Sequence, residues 1–84
     1  VGSFMHIDNL VKMANQIGTF FEAMPDRDEA LGDIASHLKR FWEPRMRRAL
    51  LAHIDTTGGE GLDPIVQAAV ARHRDKVAVA QAAA

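Results

Sequence analysis

Hydrophobic and polar positions follow one another along this chain with the period of an α-helix rather than that of a β-strand. From about residue 8 to residue 24, apolar residues recur at spacings of three and four, which places them on one face of a helix. The members of this stripe are Leu10, Met13, Ala14, Ile17, Phe20, Phe21 and Met24. We expect Asp8 or Asn9 to cap the start of this helix, and Pro25 to end it.

A second helix is predicted to start at Asp26, because Asp26 and Glu29 have the spacing of a capping box. Its apolar stripe consists of Leu31, Ile34, Ala35, Leu38, Phe41 and Trp42. Acidic residues crowd its first half, while Lys39 and Arg40 lie in its last turn. That order suits the helix dipole, so much of this charge has a stabilising explanation.

Pro44 disfavours helical geometry at the preceding residue and suits the first turn of a third helix. That helix is predicted over residues 45–55, with inward positions at Met46, Ala49, Leu50, His53 and Ile54. A glycine-rich turn follows at residues 56–61, and Asp63 before Pro64 marks the start of a fourth helix. Its stripe consists of Ile65, Val66, Ala69, Val70, His73 and Val77. The pattern therefore predicts an all-α fold, a compact bundle of three to four short helices.

The length of 84 residues suffices for one domain. We expect residues 1–5 to be an expression scar, residues 6–77 to form a single helical domain, and residues 78–84 to be a frayed alanine-rich tail. No apolar run approaches the ~20 residues of a membrane-spanning helix, and the first residues lack the pattern of a signal peptide. The chain has no cysteine, which excludes disulfides and thiolate metal sites and favours a cytoplasmic location.

The residues that could carry catalysis or bind a metal do not form a complete site. The four histidines lie on separate segments, and none belongs to an HExxH pattern. His53 and His73 fall on inward faces, where a metal pair is an alternative to the favoured interpretation, a hydrogen-bonded histidine at the core boundary. The glycine run lacks the Lys-Ser/Thr of a phosphate-binding loop. We therefore expect no catalytic residue and no metal ligand in this chain.

The densest feature of the chain is the segment around Pro44. Half of the ten basic side chains lie within ten residues next to an aromatic pair, Phe41 and Trp42; they are Lys39, Arg40, Arg45, Arg47 and Arg48. Aromatic residues beside arginines are typical of interface hot spots, and guanidinium groups can also hold phosphates or carboxylates. The alternative is that both aromatic residues belong to the core and the arginines form a solvated face. The near balance of ten basic and eleven acidic side chains argues against wholesale nucleic-acid binding.

Two stretches of unusual composition carry a resemblance to a known family. They are Met13-Ala14-Asn15-Gln16-Ile17-Gly18 and Phe41-Trp42-Glu43-Pro44-Arg45-Met46-Arg47. With their surroundings, over about residues 6–75, they closely resemble the delta subunit of NAD-dependent formate dehydrogenase. The resemblance implies a small subunit with no redox centre of its own, in a soluble molybdenum- or tungsten-containing enzyme that oxidises formate to carbon dioxide. It also implies partner subunits that carry bis-molybdopterin guanine dinucleotide, iron–sulfur clusters, FMN and NAD.

The leading hypothesis from this resemblance is a non-catalytic accessory subunit that docks on and stabilises the cofactor-bearing alpha subunit. The residues expected to bind the partner are an outward-facing arginine corner, formed by Trp42, Arg45, Arg47 and Arg48, and a second patch formed by Asn15, Gln16 and Gly18. One alternative is a chaperone-like factor that binds the molybdopterin guanine dinucleotide cofactor during its insertion. Another is a small nucleic-acid-binding helical domain.

Overall fold

The computed structural model describes residues 6–79, which contain five helices and no strand. The helices are α1 (Ile7–Glu22), α2 (Arg27–Phe41), α3 (Pro44–Thr57), α4 (Pro64–Arg72) and α5 (Arg74–Val77). The prediction of an all-α bundle is confirmed. Within the described range, no helix is long and apolar enough to cross a bilayer. The expected scar at residues 1–5 and the last residues of the expected tail, 80–84, lie outside the described residues.

Local side-chain chemistry explains where the first two helices begin. The Glu29 backbone N–H donates a hydrogen bond of 3.1 Å to Oδ1 of Asp26, which confirms the predicted cap of α2. The cap of α1 is His6, whose Nδ1 accepts a hydrogen bond of 3.3 Å from the Asp8 backbone N–H. The expectation that Asp8 or Asn9 caps α1 is wrong, because the helix already begins at Ile7.

Proline and glycine set the ends of the later helices. α3 begins at Pro44, one residue before its predicted start, and ends at Thr57, two residues beyond its predicted end. Its C-cap is Gly58, whose φ of 77° is left-handed and suits glycine at a helix C-terminus. α4 begins at Pro64. The fourth stripe does not form one continuous helix, because the backbone leaves helical geometry at His73 (φ −120°, ψ 37°). After this break, α5 brings Val77 into the core, where it is fully buried.

The core lies around α2, which packs against α1, α4 and α5, while α1 also packs against α3 and α4. The large side chains that are fully buried are Leu10, Ile34, Leu38, Leu50, Val66, Val70 and Val77. Every buried side chain among residues 6–79 is apolar. The polar and charged residues of this part of the chain are therefore all at least partly exposed.

The buried face of α1 is centred on Leu10, Ala14 and Gly18, which follow one another at spacings of four. A Cβ atom at Gly18 would lie 2.7 Å from Cγ2 of Val66 and 3.1 Å from Cγ2 of Ile65. Real Cβ atoms do not tolerate such distances to a stiff valine side chain. Glycine at this position therefore permits the close approach of α1 and α4.

This orientation of α1 leaves large side chains uncovered at the other edge of its apolar stripe. Met13 is 37% exposed and Phe20 is 74% exposed. Both belong to the predicted stripe, but the small residues Ala14 and Gly18 of the same stripe face the neighbouring helices instead.

Candidate functional site

A groove of about 440 Å³ lies between α1 and the C-terminal end of α2. Its lining residues, which define the aromatic groove, are Met13, Gln16, Ile17, Phe20, Phe21, His37 and Trp42. Apart from Gln16 and His37, these side chains are apolar or, in the case of Trp42, mainly apolar. The volume lies within the range of roughly 300–1,000 Å³ that is typical of binding pockets.

Aromatic rings continue from this groove across the surface of α2. Phe20 and Phe21 pack edge to face with their ring centroids 5.0 Å apart, and the Phe21 centroid lies 6.2 Å from that of His37. His37 in turn lies 4.7 Å from Phe41. These four rings form the aromatic row, whose two ends, Phe20 and Phe41, are 74% and 67% exposed. Aromatic side chains are enriched at the surfaces through which proteins bind one another.

Charged and polar groups border the aromatic row along α2. A second depression of about 240 Å³ is lined by Phe21, Asp33, Ser36, His37, Arg40 and Phe41. The guanidinium carbon of Arg40 lies 5.7 Å from the ring centroid of Phe41, which is within the range of a cation–π contact. The surface therefore combines exposed aromatic rings with a cation held beside one of them.

Phe41 and Trp42 are neighbours in sequence, but their side chains lie in different environments. Phe41 ends α2, one turn beyond the buried Leu38, and it is largely exposed. Trp42 follows in extended geometry (φ −90°, ψ 133°) and is only 5% exposed. The interpretation of Phe41 as a core residue is therefore wrong, whereas that interpretation is confirmed for Trp42.

The predicted arginine corner is not a single outward-facing surface. The expectation that Trp42 faces outward is wrong, because the chain leaves α2 in a direction that buries its ring. Arg47 is half-buried; its Nη1 donates a 3.4 Å hydrogen bond to the Val77 carbonyl, while its buried Nε has no hydrogen-bond partner. Arg45 and Arg48 are exposed, as the helical pattern predicted. Contact of these residues with a partner subunit stays a prediction.

Two residues of the predicted second patch already have contacts within the chain. The Asn15 side-chain amide donates a 2.9 Å hydrogen bond to the Gly61 carbonyl, and its Oδ1 accepts one of 2.8 Å from the Asp63 backbone N–H. Asn15 thereby ties α1 to the loop before α4, and Gly18 is buried against α4. Gln16 is exposed and lines the aromatic groove. Their binding of a partner also stays a prediction.

The two inward-facing histidines are used in different ways. Nε2 of His53 lies 2.7 Å from the Glu60 carbonyl oxygen, so the interpretation of His53 as a hydrogen-bonded boundary residue is confirmed. His73 is half-buried at the break between α4 and α5. Within residues 6–79, no group of three or more His, Asp or Glu side chains could hold a metal ion.

One arginine–aspartate pair perturbs a titratable group. Arg74 donates hydrogen bonds of 2.9 and 2.8 Å to the two carboxylate oxygens of Asp55. These hydrogen bonds hold the pKa of Asp55 below its ordinary value, and the positive charge of the guanidinium acts in the same direction. The pair joins α3 to α5 and is part of the scaffold rather than of the aromatic groove.

Helical periodicity did not identify Phe20 and Phe41 as surface residues, because both lie on apolar stripes. Two signals in the sequence could have done so. Ala14 and Gly18 at a spacing of four mark the face on which another helix can approach closely. Pro44 forces α2 to end near Phe41, so the chain must turn there.

Comparison with known protein families identifies the family of this chain. The family model for the NADH-dependent formate dehydrogenase delta subunit FdsD matches residues 9–70. No curated protein and no solved structure matches this chain. The matched range covers most of the chain and includes both the aromatic row and the two stretches of unusual composition. This chain therefore belongs to the family of NADH-dependent formate dehydrogenase delta subunits.

Proposed function

We propose that this chain is a non-catalytic accessory subunit that docks on the alpha subunit of a formate dehydrogenase and stabilises it. Family membership supports a place in such a complex. The observation that carries the docking role is the aromatic row, because Phe20 and Phe41 expose most of their ring surface at its two ends. Removing apolar surface from water is the main driving force of protein association.

The groove supports binding better than it supports chemistry. Its lining offers mainly hydrocarbon, with an amide at Gln16 and an imidazole at His37. In this proposal, the alpha subunit holds the bis-molybdopterin guanine dinucleotide, and other subunits hold the iron–sulfur clusters, FMN and NAD. The proposal also includes a cytoplasmic location for the complex, which suits a chain without cysteine.

Binding of this chain would stabilise the folded alpha subunit by mass action. A partner that binds the folded alpha subunit and not its unfolded chain stabilises it by about 2.7 kcal/mol when its concentration is a hundred times the Kd. The melting temperature of the alpha subunit should therefore rise with the concentration of this chain.

Co-expression of this chain with the alpha subunit of its formate dehydrogenase tests the proposal. The expected result is a complex that stays together in size-exclusion chromatography and melts at a higher temperature than the alpha subunit alone. Separate elution, with the same melting temperature in the presence and absence of this chain, would show that it is not a docking subunit.

A second candidate function is a chaperone-like factor that binds the molybdopterin guanine dinucleotide. The observation that favours it is the exposure of two arginines on α3. Arg45 and Arg48 are exposed and form no salt bridge with residues 6–79. Guanidinium groups bind phosphate through paired hydrogen bonds.

Calorimetric titration of the isolated chain with GDP separates the two functions. A docking subunit gives no heat of binding. Heat that disappears in an Arg45→Ala/Arg48→Ala variant would favour the chaperone.

A further inference from the structure

We propose that the aromatic groove and the aromatic row bind an amphipathic segment of the partner subunit, one that carries large apolar side chains flanked by carboxylates. This inference rests on the proposed function, because it requires a partner subunit that docks on the chain. It adds the surface that is used and the chemistry of the segment that covers it.

The size and lining of the groove favour apolar side chains as its occupants. A cavity of about 150 Å³ lined by apolar side chains holds one benzene ring. The groove, at about 440 Å³, therefore has room for two or three side chains of that size. A nucleotide would need several N–H donors for its phosphates, whereas Gln16 and His37 are the polar side chains that line this groove.

The groove also has the organisation of an interface hot spot. Trp42 lines the groove and is held in the core, so the fold fixes its position before any partner arrives. Phe20 lines it and projects into solvent. A pre-formed pocket with exposed aromatic rings gives affinity without a large ordering cost.

Exposed cations border this surface. They are Lys12 one turn before Gln16 on α1, Arg40 beside Phe41 on α2, and Arg45 three residues after Trp42 on α3. None of the three forms a salt bridge with any of residues 6–79. Asp33 and Glu43 offset part of this charge, and the border keeps a net positive charge. Carboxylates beside the apolar side chains of a partner segment are complementary to it.

The same charge disfavours a second copy of this chain as the occupant. A two-fold dimer would bring the same surface of each copy together. Each copy would bring three bordering cations against two bordering carboxylates, so one cation of each copy would stay without a carboxylate partner, which is unfavourable. Residues 80–84 offer four alanine methyl groups and one glutamine, which are too small to fill the groove.

Photo-crosslinking in the complex with the alpha subunit tests which segment covers the surface. A Phe41→p-benzoylphenylalanine variant should crosslink to an alpha-subunit peptide that has large apolar residues and Asp or Glu within one helical turn of each other. A matched Ala71→p-benzoylphenylalanine variant, on the exposed side of α4, should not capture that peptide. A crosslink to a second copy of this chain, to its own terminal residues, or to a peptide without carboxylates would overturn the inference.

Affinity measurements test the contribution of the rings. A Phe20→Ser/Phe41→Ser variant should bind the alpha subunit about 30-fold more weakly, as expected for hot-spot aromatic residues. Both rings are largely exposed, so its circular dichroism spectrum and melting temperature should stay close to those of the unaltered chain. If the unaltered chain does not bind the alpha subunit, the proposed function itself is wrong. If it binds and the double variant binds equally well, the inference alone is wrong.

Affinity measurements also test the contribution of the charge. Arg40→Glu should weaken binding by about tenfold or more and should change its salt dependence. Arg27→Glu is the matched control, because Arg27 is an exposed cation at the opposite end of α2. Equal effects of the two substitutions would overturn the proposed carboxylate contacts.

Discussion

Two faces of α1 differ in how completely this chain covers them. On one face, Ala14 is fully buried and Gly18 lies so close to α4 that a Cβ atom would come within 2.7 Å of Val66. On the other face, Met13 and Phe20 border the aromatic groove and are partly or largely exposed. On this helix the small residues Ala14 and Gly18 are therefore packed, while the bulky residues Met13 and Phe20 are left uncovered.

This difference shows that apolar character and burial are separate properties of a helix face. Small residues such as Ala14 and Gly18 let two helix backbones approach, and many dispersion contacts form around them. Bulky residues beside them then extend past the contact area. A helix whose apolar stripe is wider than its neighbours can cover thus holds the fold with one part and leaves the rest as exposed apolar surface.

The largest expected effect extends this comparison of buried and exposed apolar residues to the two aromatic neighbours at the end of α2. Trp42→Ala should lower the free energy of unfolding by about 3–5 kcal/mol, because the indole is almost fully buried. Phe41→Ala should change it by no more than about 0.5 kcal/mol. Trp42 is the only tryptophan in the chain, so its replacement removes the tryptophan fluorescence signal. Urea denaturation of both variants is therefore monitored by circular dichroism. Equal losses would contradict the assignment of one ring to the core and the other to the surface.

The next effect tests the close contact between α1 and α4. Gly18→Val should destabilise the fold by about 1–3 kcal/mol, because the added side chain overlaps Val66 and Ile65. Gln16→Val on the exposed face of the same helix is the matched control and should have a much smaller effect. Thermal denaturation is suitable, as 1 kcal/mol shifts the melting temperature of a domain of this size by roughly 4–8 °C. A tolerated valine at position 18 would show that the contact is loose.

A smaller effect is expected for the tie between α1 and the loop before α4. Asn15→Ala removes two hydrogen bonds, to Gly61 and Asp63, and should destabilise the fold by about 1–2 kcal/mol. Amide hydrogen exchange at Asp63 should also become faster, because its N–H loses its acceptor. Gln16→Ala, one residue further, should leave that exchange unchanged. Unaltered protection of Asp63 in the Asn15 variant would mean that this loop is held in another way.

The smallest effect concerns the ion pair between Arg74 and Asp55, which lies outside α1. Because Arg74 lowers the pKa of Asp55, the carboxylate stabilises the fold above the ordinary pKa of about 4, and this contribution is lost as the pH falls through the lowered value. The contribution is small, since both side chains are about half exposed. NMR titration of Asp55 should show the low pKa, and Arg74→Ala should raise it towards its ordinary value. An unchanged titration curve would contradict this cause.

The sequence was sufficient to predict the helices, because their signals are local. Asp26 and Pro44 act on backbone groups within a few residues, so the positions of α2 and α3 follow from short stretches of sequence. The break at His73 was not predicted, since the apolar spacing continues across it to Val77.

The candidate site was predicted less well, because its exposure depends on distant parts of the chain. Phe41 and Trp42 are both apolar neighbours, and the direction in which the chain leaves α2 decides which one is buried. The exposure of Phe20 likewise depends on how α1 is rotated against α4. These two helices are separated in the sequence by α2 and α3. The hydrophobic periodicity of a single helix shows neither the direction in which the chain leaves that helix nor its rotation against another helix.

The stretch from Met13 to Gly18 meets two independent demands within fewer than two helical turns. Ala14, Asn15 and Gly18 serve the interior of the chain, while Met13, Gln16 and Ile17 line the groove. Under the proposed docking role, a mutational scan that scores only enzyme output would find all six positions intolerant and suggest one motif with one purpose. Scoring abundance and assembly separately would resolve it into two interleaved sets of positions, each with its own phenotype.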